Sequence, residues 1–178
     1  MKHLMIDLET LSIRTNAVVL SIGAVIFDEN NIIDTLHLFL EPESQEAKGR
    51  SILPSTVMWW LQQSDEARKN LIAGEKNSTA RALEHFTGWV LGHAPDCVWG
   101  NGAGFDNVIT ETLMRDYNAP IPWQHYQNQC YRTLKARLTN KAIKKGIMWH
   151  QPTVAHDALA DALAQAKNTQ LLLKLIEE

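Results

Sequence analysis

Cysteine is nearly missing from this chain. Its 178 residues hold two, Cys97 and Cys130, with no CxxC pair and no histidine at zinc spacing. That excludes a disulfide framework and a structural zinc site, and the two read as reduced core thiols. Long hydrophobic runs are missing as well. The N-terminal run Met1-Lys-His-Leu-Met-Ile6 meets Asp7 too early to be a signal-peptide core, and no later run is long enough to span a bilayer. The expected location is therefore the cytoplasm, with no membrane partner. There is no excess of positive charge: the net charge of -3 excludes a strongly basic nucleic-acid packager. It leaves room for a metal enzyme that grips a few phosphates, because bound cations invert the local sign. No repeat, low-complexity tract or linker interrupts the chain, so residues 1–178 are expected to form one domain with an ordinary core.

The elements follow from periodicity and turn chemistry. Leu4 to Ile6 predicts a short buried strand. Val18 to Phe27 is almost continuously apolar and β-branched, as a central strand is, and Gly23 inside it signals a close neighbour or a bulge. Asp28-Glu-Asn-Asn31 is a turn, and Ile32 to Leu40 a third strand in an antiparallel meander. Glu41 to Ser51 reads as an irregular loop. Ser55 is a candidate cap for a helix from Thr56 to Gln62, and Ser64 with Ala67 for a second short one. Ser78 opens a helix with Ala82, Leu83, Phe86, Val90 and Leu91 at helical spacing, ending at Gly92. Cys97 to Trp99 is a strand, Phe105 to Arg115 a helix, Asn128 to Tyr131 a strand, Thr133 to Leu138 a short helix and His156 to Ile176 the last helix. The class is mixed α/β.

Acids stand where folding does not ask for them. Asp7-Leu-Glu9 ends the first apolar run, Asp106 follows a glycine-rich turn, and His156-Asp-Ala-Leu-Ala-Asp161 opens the last helix. A carboxylate near a core element costs desolvation energy unless something pairs with it. Divalent cations offset that cost, and two-metal sites cleave phosphodiesters. Residues i and i+2 of a strand share a face, so Asp7 and Glu9 can reach one ion and Asp7 can bridge two. Oxygen ligands in this number suit Mg²⁺ or Mn²⁺. His156 and Asp161 do not share a helical face, which suits an imidazole placed before the first turn and acting on water. Asp157 shares the Asp161 face and is a rival ligand, although an acid at a helix start has a dipole reason to be there.

Other residues point to the substrate. Arg132, Lys135, Arg137, Lys141, Lys144 and Lys145 crowd one segment and read as a phosphate-contact strip or a solvated face. Trp59 and Trp60 are adjacent, so both can hardly face the core. One is free to stack on a base or to meet a second subunit, which leaves a homodimer open. Gly100-Asn-Gly-Ala-Gly104 lacks the spacing of a dinucleotide fingerprint.

Taken together, Asp7-x-Glu9, Asn101-x-x-x-Phe105-Asp106 and His156-x4-Asp161 resemble the DEDDh exonucleases. This family includes polymerase proofreading domains, ribonuclease T and oligoribonuclease. Leu20-Ser-Ile-Gly-Ala-Val25 is similar to the family's second strand. Met58-Trp-Trp60 and the HDALADA string look most like its phage-type branch. The resemblance implies a ribonuclease H-like fold, a five-stranded mixed sheet flanked by helices. It implies that Asp7, Glu9, Asp106 and Asp161 hold two Mg²⁺ or Mn²⁺ ions, with His156 as general base. The expected activity is 3′-5′ hydrolysis of single-stranded DNA or RNA to nucleoside 5′-monophosphates. Thr10 and Phe105 map to substrate-contacting positions, and Asn101, Trp59, Trp60 and Arg132 complete the expected substrate set. Where the family often has an Asp, this chain has Cys130-Tyr-Arg132-Thr133. Two alternatives share the fold: a non-catalytic nucleic-acid-binding module, and a phosphodiesterase for very short substrates. Retention of all four acids and the histidine argues against the first.

Overall fold

The computed structural model describes residues 1–177, with the side chains of all but 72, 73 and 177. Six strands form one mixed sheet in the order β4-β3-β2-β1-β5-β6. They are β1 (His3–Thr10), β2 (Val19–Phe27), β3 (Ile32–Leu40), β4 (Lys76–Asn77), β5 (Cys97–Gly100) and β6 (Asn128–Cys130). The first three make the expected antiparallel meander, while β5 runs parallel to β1 and β6 parallel to β5. The expectation of five strands falls one short. The extra strand is β4, two residues that pair with Phe39 and Leu40 on the outer edge and carry no periodicity a sequence could show.

Helices cover both faces, and that is why β2 is apolar almost without a break. On one face Leu4, Ile6, Ile22, Ala24 and Val98 pack against α4 (Thr79–His93) and α5 (Asp106–Asp116) through Leu83, Phe86, Val90, Ile109 and Leu113. On the other, Met5, Val25, Phe27 and Trp99 pack against α6 (Tyr131–Lys144) and α7 (Ala158–Glu177) through Tyr131, Ala142, Ala162, Ala166 and Leu172. Strand alternation thus sends Leu4, Ile6 and Leu8 one way and Met5, Asp7 and Glu9 the other. β1 runs through its acids instead of stopping at Ile6: Asp7, Leu8 and Glu9 stay in register with Gly23, Ile22 and Ser21.

Several boundaries differ from expectation for local reasons. The polar stretch after β3 contains α1 (Glu43–Ala47), whose Gln45 is fully buried and bonds both Val19 N and Val19 O at 2.8 Å, plugging the start of β2. The next helix, α2 (Pro54–Leu61), starts at Pro54 rather than after Ser55, because proline at the first helical position brings a preset φ and no orphan N–H. Ser64 does cap α3 (Asp65–Ala73), accepting from Ala67 N at 3.2 Å. Helix α4 passes Gly92 to His93 and closes on Ala94 at φ 49°. Helix α6 is longer than the predicted Thr133–Leu138, and α7 begins at Ala158 rather than His156. No helix among the described residues is long and apolar enough to cross a membrane.

Candidate active site

Two glycines let two helices bring their N-termini down onto the sheet. A Cβ on Gly23 would sit 2.1 Å from the backbone carbonyl of Ala158, so α7 reaches β2 only because that side chain is absent. Gly23 is the cross-strand partner of Asp7, and the start of α7 therefore lies over the acids of β1. A Cβ on Gly100 would meet Asn107 Oδ1 at 2.3 Å and Asp106 Cβ at 2.9 Å, so the end of β5 admits α5 in the same way. The side chain of Asn107 locks that approach, donating to Val98 O at 3.0 Å and Asn128 Oδ1 at 2.7 Å.

The result is a cleft of about 270 Å³ lined by Asp7, Leu8, Glu9, Asn101, Phe105, Asp106, Arg132, His156, Asp161 and Gln165. Asp7 and Glu9 come from β1, Asp106 from α5, and His156 and Asp161 from either side of the α7 start. Ligand atoms of Glu9, His156 and Asp161 lie within 4.8 Å of one another. His156 stands in a left-handed turn at φ 62°, before the helix. Its backbone N–H donates to Asp161 Oδ2 at 3.1 Å, which aims that carboxylate across the cleft. Asp157 caps α7 instead, its Oδ1 accepting from Ala160 N at 2.9 Å, and it does not line the cleft.

Gathering these acids is electrostatically costly. Burial, then the charges of Asp106, Glu9 and Asp161, hold the Asp7 carboxyl well above the usual carboxylate range, against a 2.7 Å hydrogen bond from Gln165 Nε2 to its Oδ1. Burial and the charges of Asp161, Asp157 and Asp106 push Glu9 up to about 8. Burial raises Asp106 to about 7, despite main-chain N–H donors at Asp106, Leu8 and Asn101 and the positive charge of Arg132. Asp161 is raised too, chiefly by burial. Four carboxylates competing for protons in one cleft form a donor set that fits hard divalent cations. A buried oxygen, Gln165 Oε1, faces no hydrogen-bond partner among the described residues.

A second chamber of about 400 Å³ adjoins the cleft, and Leu8, Glu9 and Phe105 belong to both. Its other walls are Thr10, Ile13, Ser55, Thr56, Trp59 and Trp60. The tryptophans divide as their spacing requires. Trp60 is 5% exposed and donates from Nε1 to Thr10 O at 2.9 Å, pinning α2 to the end of β1. Trp59 is 42% exposed and stands edge-on to the His156 ring at 4.8 Å. Arg132 borders the acidic cleft, where its Nη2 donates to the Asn101 carbonyl at 2.6 Å. Sequence reasoning missed Gln165. It lies four residues beyond Asp161, on the same helical face, and that spacing was the available signal. It also missed Ile13, Ser55 and Thr56, which carry no chemical signature of their own.

The family model for the 3′-5′ exoribonuclease Rv2179c-like domain matches residues 2–173. An exodeoxyribonuclease of Enterobacteria phage T4 is 30% identical over 124 residues, covering 62% of this chain and 55% of that protein. E. coli Exonuclease I in complex with a dT13 oligonucleotide superposes with a TM-score of 0.69 at 20% identity, over 99% of this chain and 42% of its own. Exonuclease X in complex with 5′ overhanging duplex DNA gives 0.61 at 17% identity, over 97% and 92%. The chain thus spans about half the length of the phage relative and about two fifths of Exonuclease I.

Proposed function

Because the chain belongs to the 3′-5′ exoribonuclease Rv2179c-like family, of the DEDDh type, we propose that it hydrolyses single-stranded nucleic acid from the 3′ end, releasing nucleoside 5′-monophosphates. One observation carries the reading. Side chains from three distant segments meet in an acidic cleft, and the cleft opens directly into an aromatic chamber.

Asp7, Glu9, Asp106 and Asp161 would hold two Mg²⁺ or Mn²⁺ ions, which when bound supply Lewis-acid activation of water and of the phosphodiester. Gln165 orients Asp7 through its 2.7 Å hydrogen bond. Phe105 and Trp59 offer flat apolar walls to the last base, which must be unpaired to enter between them. Thr10 lies at the chamber wall, and Asn101 and Arg132 at the cleft rim, within reach of the terminal nucleotide. A ring nitrogen of His156 takes the proton from the attacking water. The water oxygen bonds to phosphorus, the bond from phosphorus to the 3′ oxygen of the penultimate nucleotide breaks, and that oxygen takes up a proton. The terminal nucleotide leaves with its 5′-phosphate.

Matched single-stranded RNA and DNA, labelled at the 5′ end, should shorten stepwise from the 3′ end in Mg²⁺ or Mn²⁺ and stay intact in EDTA. Internal fragments, or cleavage that persists in EDTA, would overturn the reading. The ratio of the two rates gives the sugar preference.

A further inference from the structure

From Tyr117 through Ala155 the chain has no aspartate or glutamate, yet it carries Arg132, Lys135, Arg137, Lys141, Lys144 and Lys145. In a protein of net charge -3 this concentrates six cations in one acid-free stretch. Helix α6 sorts them. Lys135 is turned onto the Trp149 ring, its Nζ 5.0 Å from the centroid, and Lys141 Nζ donates to Leu175 O. Arg132, Arg137 and Lys144 remain exposed. Arg137 and Lys144 are seven residues apart, hence on one helical face and about 10 Å apart along the axis. Neither pairs with a carboxylate among the described residues.

Beside this face runs a groove of about 360 Å³ along the edge strand β6, with Asn128, Gln129, Thr133 and Arg137 as polar walls and Trp99, Ala103 and Leu134 as apolar ones. It is a neighbour of the acidic cleft. Arg132 lines the cleft and Thr133 the groove; Asn101 lines the cleft and Ala103 the groove. Amide, hydroxyl and guanidinium groups, interspersed with apolar side chains, therefore line a path that starts where the scissile end would sit.

We propose that this groove and the exposed cations of α6 form the track for the sugar–phosphate backbone upstream of the scissile bond. The partner is the remaining single strand of the substrate. This rests on reading the cleft as the nuclease site. Charge complementarity selects the occupant: no acid lines the groove, and Arg137 and Lys144 pair with no carboxylate among the described residues, which suits a polyanion, while Trp99 and Leu134 offer apolar surface on which bases can rest. The consequence is a dependence on substrate length, since a dinucleotide fills the cleft alone.

The test compares the wild type with the double variants R137E/K144E and R137Q/K144Q on a single-stranded 20-mer and on a dinucleotide. At low salt kcat/KM for the 20-mer should fall about ten-fold or more in the charge-reversed variant, and less in the neutral one. Dinucleotide cleavage should stay within two-fold of wild type, roughly the scatter expected for distant surface changes. In EDTA, fluorescence anisotropy of a labelled 20-mer should show the slope of log K against log salt shrinking by about 1.4 when two contacts are neutralised. Equal loss on both substrates, or no loss on either together with an unchanged slope, overturns the track. If the wild type cleaves neither substrate while the slope difference persists, the nuclease reading falls and the binding surface stands.

Discussion

The carbonyl of Ala158 occupies the space in which a Cβ on Gly23 would sit, at 2.1 Å. A strand and a helix start thus share one volume, and the shared spot lies across the ladder from Asp7. The contact is backbone to backbone, so no flexible side chain can move aside. Gly23→Ala should destabilise the protein by about 1–3 kcal/mol or more in urea unfolding, as overpacking does. It should also cut kcat strongly, because lifting α7 moves Asp161 and His156 away from β1. Unchanged stability and turnover would refute this account of how the cleft is assembled.

Raised carboxylate pKa values set a pH dependence. In the native state Glu9 titrates near 8 and Asp106 near 7, above their ordinary values of 4.5 and 3.8. Between the ordinary and the native values the folded protein binds more protons than the unfolded chain. Stability therefore falls as pH rises through that window. In EDTA the Tm should drop between about pH 5 and pH 8. Millimolar Mn²⁺ or Mg²⁺ should remove the drop and raise Tm at pH 8, by an amount that grows with ion concentration as mass action requires. Glu9→Gln should flatten the EDTA profile. A profile that is level in EDTA, or one that ions leave untouched, would count against the mutual repulsion of these acids.

The acids and the histidine should separate in their effects. Asp7→Ala is expected to abolish turnover and to blunt the Tm rise on adding Mn²⁺. His156→Ala removes the imidazole but keeps the backbone N–H that bonds Asp161. It should lower kcat by about 10²-fold or more, with most of the Mn²⁺-dependent Tm rise retained. Full activity in the histidine variant would remove it from the reaction.

Trp59 is a wall of the apolar chamber and an edge-on neighbour of the His156 ring. Base stacking on such a wall contributes about 1–3 kcal/mol by alanine substitution, so Trp59→Ala should raise KM by roughly five- to 150-fold. It is largely outside the core, so its thermal stability should change little. Trp60→Ala should instead unfold the protein more readily, because it deletes a buried ring and the bond to Thr10 O. Steady-state kinetics and a melting curve on the two variants distinguish the roles.

What the residues announced and what they concealed follow from the range of the interactions. The β1–β2–β3 meander was legible because β-branched runs and a tight turn are local signals. Gly23 announced either a close neighbour or a bulge, and the backbone of Ala158 is that neighbour. The acids of β1, α5 and α7 stood out because each is costly near a core. Asp157 could not be told from Asp161 by spacing alone. Only the geometry of the helix start shows that its carboxylate caps Ala160 N. Strand β4 was invisible, two exposed polar residues made regular by their neighbour Phe39–Leu40. The α6 strip looked uniform in sequence, yet packing turns Lys135 and Lys141 toward Trp149 and the end of α7.

Along β1, Leu4, Ile6 and Leu8 face one layer while Asp7 and Glu9 face the other. A slip of this strand by one position would turn both acids toward the α4–α5 layer and the leucines toward the α6–α7 layer. Mispaired chains would then be unstable and inert together. Correct pairing of β1 is thus a shared condition for the core and for setting Asp7 and Glu9 beside the residues that α5 and α7 bring.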